Sequence, residues 1–153
     1  MTLLFRWHGF GELSGKEVYE ILALRARVFV VEQRCAFLDA DGHDPSALHL
    51  CGRTPAGELA AYLRLLPPGE VYAGPAIGRV VTAPGMRGAG LGRMLMEEGI
   101  RRSAAAYPGA SLTVSAQMYL ENFYGSLGFL RSGSPFEEDG IPHIIMSRPA
   151  GVR

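Results

Sequence analysis

Glycines at 88, 90 and 92, in the run Arg87-Gly88-Ala89-Gly90-Leu91-Gly92, have the type and spacing for a definite chemistry. They follow a valine- and isoleucine-rich segment, 76–82, and the Pro84-Gly85 break, and they precede a helical stretch that runs through Ala106. The first N–H groups of a helix have no intrahelical acceptor, and the helix dipole adds positive potential there. Glycines leave those groups bare, which suits a phosphate. Side chains in their place would obstruct a diphosphate. Other phosphate motifs do not fit. A Rossmann turn places a third glycine where Arg93 stands, and a P-loop requires Lys then Ser or Thr after its last glycine. The alternative is a tight turn that uses glycine only for its backbone freedom.

Asp39, Asp41, His43, Asp44 and His49 form a second polar group that could suggest a metal. A calcium loop starting at Asp39 would need Glu at its twelfth position, which is Leu50, and no His or Cys pair has zinc spacing. No metal is expected. The formal net charge is zero, so no basic surface points to nucleic acid or an anionic membrane. Two cysteines, Cys35 and Cys51, make no disulfide framework. The N-terminal residues show no signal-peptide pattern, and no apolar stretch approaches the roughly 20 residues of a membrane helix. A cytoplasmic protein is expected.

These groups must be positioned by secondary structure. Strands are expected at 3–7, 49–53, 59–66, 76–82, 111–116, 129–130 and 141–146, with 54–57 as a hairpin turn. Ser14 and Glu17 form a capping box for a first helix whose Val18, Ile21, Leu22, Arg25 and Phe29 recur at helical spacing. Residues 35–45 read as loop, and a short helix at 120–127 ends at Gly128. Residues 1–153 thus form one α/β domain, and its 48% apolar and 20% charged composition is that of a globular chain.

Arg87-x-x-Gly90-x-Gly92 after a valine-rich strand resembles the acetyl-CoA signature of the GNAT superfamily of N-acetyltransferases. The segment 111–116 followed by Phe123-Tyr124-Gly125-Ser126-Leu127-Gly128-Phe129 is similar to that superfamily's second cofactor element. Leu24-Arg25, Val28-Phe29-Val30-Val31-Glu32-Gln33, Ala116-Gln117, Asn122-Phe123-Tyr124 and Glu138-Asp139-Gly140-Ile141-Pro142-His143 look like its bacterial ElaA subgroup. The resemblance implies a mixed, mostly antiparallel sheet of six to seven strands flanked by helices, with a splayed central strand pair for acyl-CoA. It also makes a homodimer a fair expectation.

The resemblance assigns roles residue by residue. Backbone groups of Val80, Val81 and Thr82 would pair with the pantetheine arm of acetyl-CoA. The N–H groups of Arg87, Gly88, Ala89, Gly90, Leu91 and Gly92 would take the pyrophosphate, and Arg87 and Arg93 would add charge. Gln117 and Asn122 fall in the second cofactor element; many relatives carry Asn where this chain has Gln117. Tyr124 matches the usual general acid, which protonates the departing thiolate. The acceptor side would use Glu32, Gln33, His43, Glu138, Asp139 and His143. An alkyl amine with a pKa near 10 must lose a proton before it attacks. His143 could accept it, and Glu32 could if burial raised its pKa. The expected activity is acetyl transfer to an amine of a small molecule or peptide. A non-catalytic acyl-CoA sensor of the same fold is the alternative, and nucleotide binding through the glycine turn is a weaker third.

Overall fold

The computed structural model, which describes residues 2–151, realises the hydrophobic periodicities as one sheet with helices on both faces. β1 (Leu4–Gly9) leads to α1 (Gly15–Arg25), whose winding loosens into a π-helical stretch, Ala26–Glu32. The hairpin of β2 (Leu48–Arg53) and β3 (Leu59–Leu66) follows, then β4 (Ala76–Thr82), α2 (Leu91–Ala106) and β5 (Leu112–Gln117). A short α3 (Glu121–Gly125) precedes β6 (Leu130–Arg131), β7 (Phe136–Glu138) and β8 (Ile141–Arg148). The strand order is β1-β2-β3-β4-β5-β8-β6, with β7 also paired to β8. Every neighbouring pair is antiparallel except β4 and β5, and α2 supplies the crossover that a parallel pair requires.

The eighth strand, β7, exceeds the expected six or seven. Asp139 (φ 53°) and Gly140 (φ 78°) both adopt left-handed backbone and close a two-residue hairpin from β7 to β8. Asp-Gly is the dipeptide that such a turn favours.

Alternation along β3 divides the core. Ala61, Leu63 and Leu65 join the buried faces of α2 and α3, while Tyr62 meets Ile21, Leu24 and Val28 from α1. Gly99 lets α2 lie close to the sheet: a Cβ there would sit 2.8 Å from Ile77 Cδ1 and 3.0 Å from Leu63 Cδ2. The expected capping box starts α1, with Glu17 N–H donating to Ser14 Oγ at 3.1 Å and Ser14 N–H to Glu17 Oε1 at 2.9 Å.

β4 and β5 pair only through Ala76 with Thr113 and Ile77 with Val114, and beyond these they diverge. The opposite edge of β4 shows why. Tyr62 faces Val81 and Arg64 faces Gly78, so two steps on β3 match three on β4. The extra residue makes a β-bulge, and Arg79 within it takes a left-handed φ of 51°.

A closed ring of alternating charges holds that bulge. Arg25 Nε lies 2.9 Å from Asp39, Arg79 Nε 2.8 Å from Asp39, Arg79 Nη2 3.4 Å from Asp41, Arg64 Nη2 2.6 Å from Asp41, Arg64 Nη1 3.0 Å from Asp44, and Arg25 Nη1 2.7 Å from Asp44. The Arg79–Asp39 contact is an ion pair whose angle is poor for a hydrogen bond. Arg25 is fully buried, and Asp39, Asp44 and Arg64 are nearly so. The acidic residues weighed above as metal ligands are thus neutralised by arginines from α1, β3 and β4. Burial pushes the Asp41 and Asp44 carboxyls up. The hydrogen bonds and charges of Arg64 on Asp41, and of Arg25 and Arg64 on Asp44, outweigh it and hold both below the usual carboxylate range.

Asp44→Ala leaves the buried Arg25 and Arg64 short of a partner and should cost about 3–5 kcal/mol of stability in equilibrium urea unfolding. Asp41 and Asp44 ionise at lower pH folded than unfolded, so their contribution is complete above the unfolded value near pH 4 and fades as pH falls through the folded values. The stability gap between wild type and Asp44→Asn should therefore hold from neutral pH to about pH 4 and shrink below it.

Candidate functional site

The divergence of β4 from β5 opens a cavity of about 780 Å³, within the usual range for small-molecule sites. Val80, Val81 and Thr82 line it from β4, Ser115 and Gln117 from β5, and Val28, Phe29, Glu32 and Gln33 from the π-helical stretch. A second hollow of about 320 Å³ lies against the glycine turn, lined by Arg87, Gly88, Gly90, Leu91, Gly92 and Arg93. Thr82, Arg87, Gly92 and Phe123 line both, so the two spaces adjoin.

The glycine turn opens onto its hollow. Gly90 immediately precedes α2 with a φ of 74°, and a Cβ at position 88 or 90 would meet nothing within 4 Å. The N–H groups of the first turn of α2 are the ones helix geometry leaves without intrahelical acceptors. Arg93 donates to Ser126 Oγ at 2.6 Å and lies 5.7 Å over the Phe123 ring, which ties this turn to α3. Arg87 reaches the other way and pairs with Glu32 at 2.6 Å. Ala89 is exposed and lines neither space, and Asn122 is exposed on α3 and lines neither.

A phenol and an imidazole, Tyr124 and His143, line the large cavity. Tyr124 is 6% exposed, with its ring edge-on to Phe123 and Phe129. Its hydroxyl has no hydrogen-bond partner among the described residues, and burial pushes its pKa up to about 12, with a smaller contribution from Tyr119. His143 is 9% exposed and stacks on Phe136. Its Nδ1 lies 2.7 Å from the Ile141 carbonyl oxygen, which can only accept, so in the neutral ring Nδ1 carries the hydrogen. Nε2 then presents a lone pair, 3.7 Å from Glu138.

The acceptor-side residues differ in setting. Gln117 sits opposite His143 in the β5–β8 register, and its amide donates to Gln33 Oε1 at 3.3 Å across the gap. Glu138 and Asp139 line the cavity from the end of the β7–β8 hairpin. Glu32 is exposed and ion-paired, which corrects the expectation of a partly buried carboxyl. Cavity residues absent from the sequence reading include Phe37, Leu38, Arg64, Val71, Tyr72 and Arg79. Phe37 and Leu38 left a trace as apolar residues inside the loop at 35–45, and Arg64 and Arg79 fell within strands with nothing local to single them out.

Residues 46–149 match the Acetyltransferase (GNAT) domain. The chain belongs to the GNAT acetyltransferase family. Among curated relatives, the Synechocystis UPF0039 protein is 44% identical over 95% of both chains, and ElaA of Escherichia coli is 40% identical over 90% of both. Among solved structures, an acyl-CoA N-acyltransferase from Pseudomonas aeruginosa superposes with a TM-score of 0.91 at 39% identity, covering 96% of this chain and 99% of that one. Escherichia coli ElaA superposes at 0.90 with the same coverage, and identity over the structural alignment is 36%. The GNAT fold implies a transferase with an acyl-CoA cosubstrate and an acceptor.

The residues present fit such a cosubstrate. An open glycine turn at a helix start adjoins a slot between diverging strands, and Tyr124, whose hydroxyl has no hydrogen-bond partner among the described residues, lines that slot. Coenzyme A should raise the melting temperature, and Gly90→Asp should abolish that shift by placing a carboxylate where the phosphate would sit. Gly90→Ala carries the same left-handed strain, about 1–2 kcal/mol, without the charge and should keep most of the shift. An equal shift in the Asp variant would place the phosphate elsewhere.

Proposed function

We propose that the protein is an acetyl-CoA-dependent N-acetyltransferase that moves an acetyl group to an amine of a small molecule or peptide. One observation carries this reading. Tyr124 Oη and His143 Nε2 line one cavity, both residues are nine-tenths buried, and neither atom has a hydrogen-bond partner among the described residues. A protein that only holds acyl-CoA has use for neither. Val80, Val81 and Thr82 would hold the pantetheine arm and the 87–93 turn the pyrophosphate. The free thiols Cys35 and Cys51, both buried, support a reducing, cytoplasmic setting.

Bound acetyl-CoA would supply an activated acyl carbon whose C–S bond gives way to the new C–N bond. The chain's own groups manage the protons. His143 Nε2 takes one from the amine, and the Ile141 carbonyl keeps the ring in the tautomer that can. The Tyr124 hydroxyl faces the charge that develops on sulfur. The thiolate of a thiol with an ordinary pKa near 8.5 would not draw a proton outright from a phenol at about 12. The hydroxyl would therefore serve as a hydrogen-bond donor toward negative charge on the leaving sulfur, an interaction stronger in the transition state than before it.

Acceptor-dependent release of free thiol from acetyl-CoA is the direct test. Tyr124→Phe should reduce kcat by about 10²- to 10⁴-fold with little change in acetyl-CoA affinity, because the ring packing stays. His143→Gln should lose the acid limb of the kcat/KM profile that the wild type shows. Unchanged turnover in the Phe variant removes Tyr124 from the mechanism, and an acid limb that survives in the Gln variant removes His143.

A further inference from the structure

We infer that the acceptor is a primary amine carried on an apolar body, recognised by one ammonium charge, rather than a polyamine or an amino sugar. This rests on the transferase reading above and narrows it to a class of acceptor.

Apolar side chains form part of the cavity wall, beside the polar Asp41, His43, Arg64 and Arg79. Phe37, Leu38, Leu66, Val71, Tyr72 and Ile141 line it. Leu38 is 78% and Val71 48% exposed, so two large aliphatic side chains of the cavity lining face solvent. Arg79 lies over the Phe37 ring at 5.5 Å and holds that loop residue against the wall. An exposed apolar lining of this kind gains from a ligand that covers it and gains nothing from a strongly hydrated sugar or polycation.

The charges point the same way. Four carboxylates line the cavity, and two of them, Glu32 and Asp41, are ion-paired to arginines. Asp41 is taken by Arg64 and Arg79, Glu32 by Arg87, and Glu70 lies 2.8 Å from His43 Nδ1. Among the cavity-lining residues, Glu138 and Asp139 have no arginine or lysine partner. They sit at the end of the β7–β8 hairpin beside His143, whose Nε2 points to the same space. A single ammonium can be steered to this acidic end and give its proton to His143. A polyamine would need further free carboxylates along the wall, where the apolar side chains are. The α-amine of a peptide that starts with an apolar residue presents the same chemistry as a free aralkylamine.

The test compares amines in two readouts. Acetyl-CoA turnover is followed with 2-phenylethylamine, hexylamine, a tripeptide starting with Phe, spermidine and glucosamine. Amine-induced thermal stabilisation of the protein saturated with coenzyme A is measured for the same set. The apolar-bodied amines should exceed spermidine and glucosamine about tenfold or more in kcat/KM, and should stabilise at lower concentration. The free amines and the tripeptide together tell a small acceptor from a peptide one. Leu38→Ser should narrow the advantage of 2-phenylethylamine over ethylamine about three- to tenfold. Glu138→Gln should raise KM for every amine about two- to fivefold, most at low salt. Both side chains are exposed, so the variants should fold. Selective binding without turnover sinks the transferase reading and leaves this one standing. Spermidine or glucosamine matching the apolar amines in both readouts overturns it, as does an unchanged preference in Leu38→Ser.

Discussion

The closed ring of Arg25, Asp39, Arg79, Asp41, Arg64 and Asp44 is the interaction on which the rest of the site depends. Its members come from α1, the loop at 39–44, β3 and the bulge of β4. Three positive and three negative groups alternate, so the buried cluster carries no net charge. A buried network of this kind adds less to stability than its contacts suggest, because each group gives up hydration to enter it. What it fixes is geometry. Arg79 has a left-handed backbone, which costs a non-glycine residue about 1–2 kcal/mol, and its ion pairs to Asp39 and Asp41 hold it there. The extra residue at that point turns β4 from β5, and the cavity is the space between them.

The two ends of that space work on different physics. At the glycine turn the groups offered to a ligand are backbone N–H groups, so residue identity matters mainly for what it leaves out. At the other end the working groups are side chains, each oriented by a backbone or packing contact. The Ile141 carbonyl fixes the tautomer of His143, and Phe123 and Phe129 fix the ring of Tyr124. The Arg87–Glu32 pair crosses between the glycine turn and the end of the π-helical stretch, and so links the two ends. Family membership accounts for the first end. The proposed acceptor chemistry belongs to the second.

Much of this was legible in the sequence because it depends on local pattern. The Ser14 cap, the β2–β3 hairpin, the glycine turn and the Tyr124 helix are set by residues close together in the chain. The charge ring was not legible, because its members lie up to 54 positions apart and pair only once the sheet forms (Arg25 with Arg79 as its extremes). Seen alone, Asp39, Asp41 and Asp44 resemble half a metal site, and nothing local says that arginines complete the cluster. Arg25 did fall on the apolar face of its helix by spacing, which was the one hint that it is buried. β7 escaped because three exposed residues, Phe136–Glu138, carry no alternation, although Asp139-Gly140 was a readable turn signal. Asn122 was drawn into the cofactor set by its neighbours Phe123 and Tyr124, but its own position on α3 faces solvent.

The ring, the bulge and the slot are tested together by one binding measurement. Arg79→Gln keeps a polar side chain of moderate size and the left-handed backbone requirement but removes the charge that two aspartates hold. Without that restraint the bulge should relax and β4 should close toward β5. Calorimetric titration of the folded variant with acetyl-CoA should then show an affinity at least about tenfold weaker than wild type, equivalent to about 1.4 kcal/mol. An unchanged dissociation constant in a folded Arg79→Gln protein would contradict the account, since the slot would then stand without the ring.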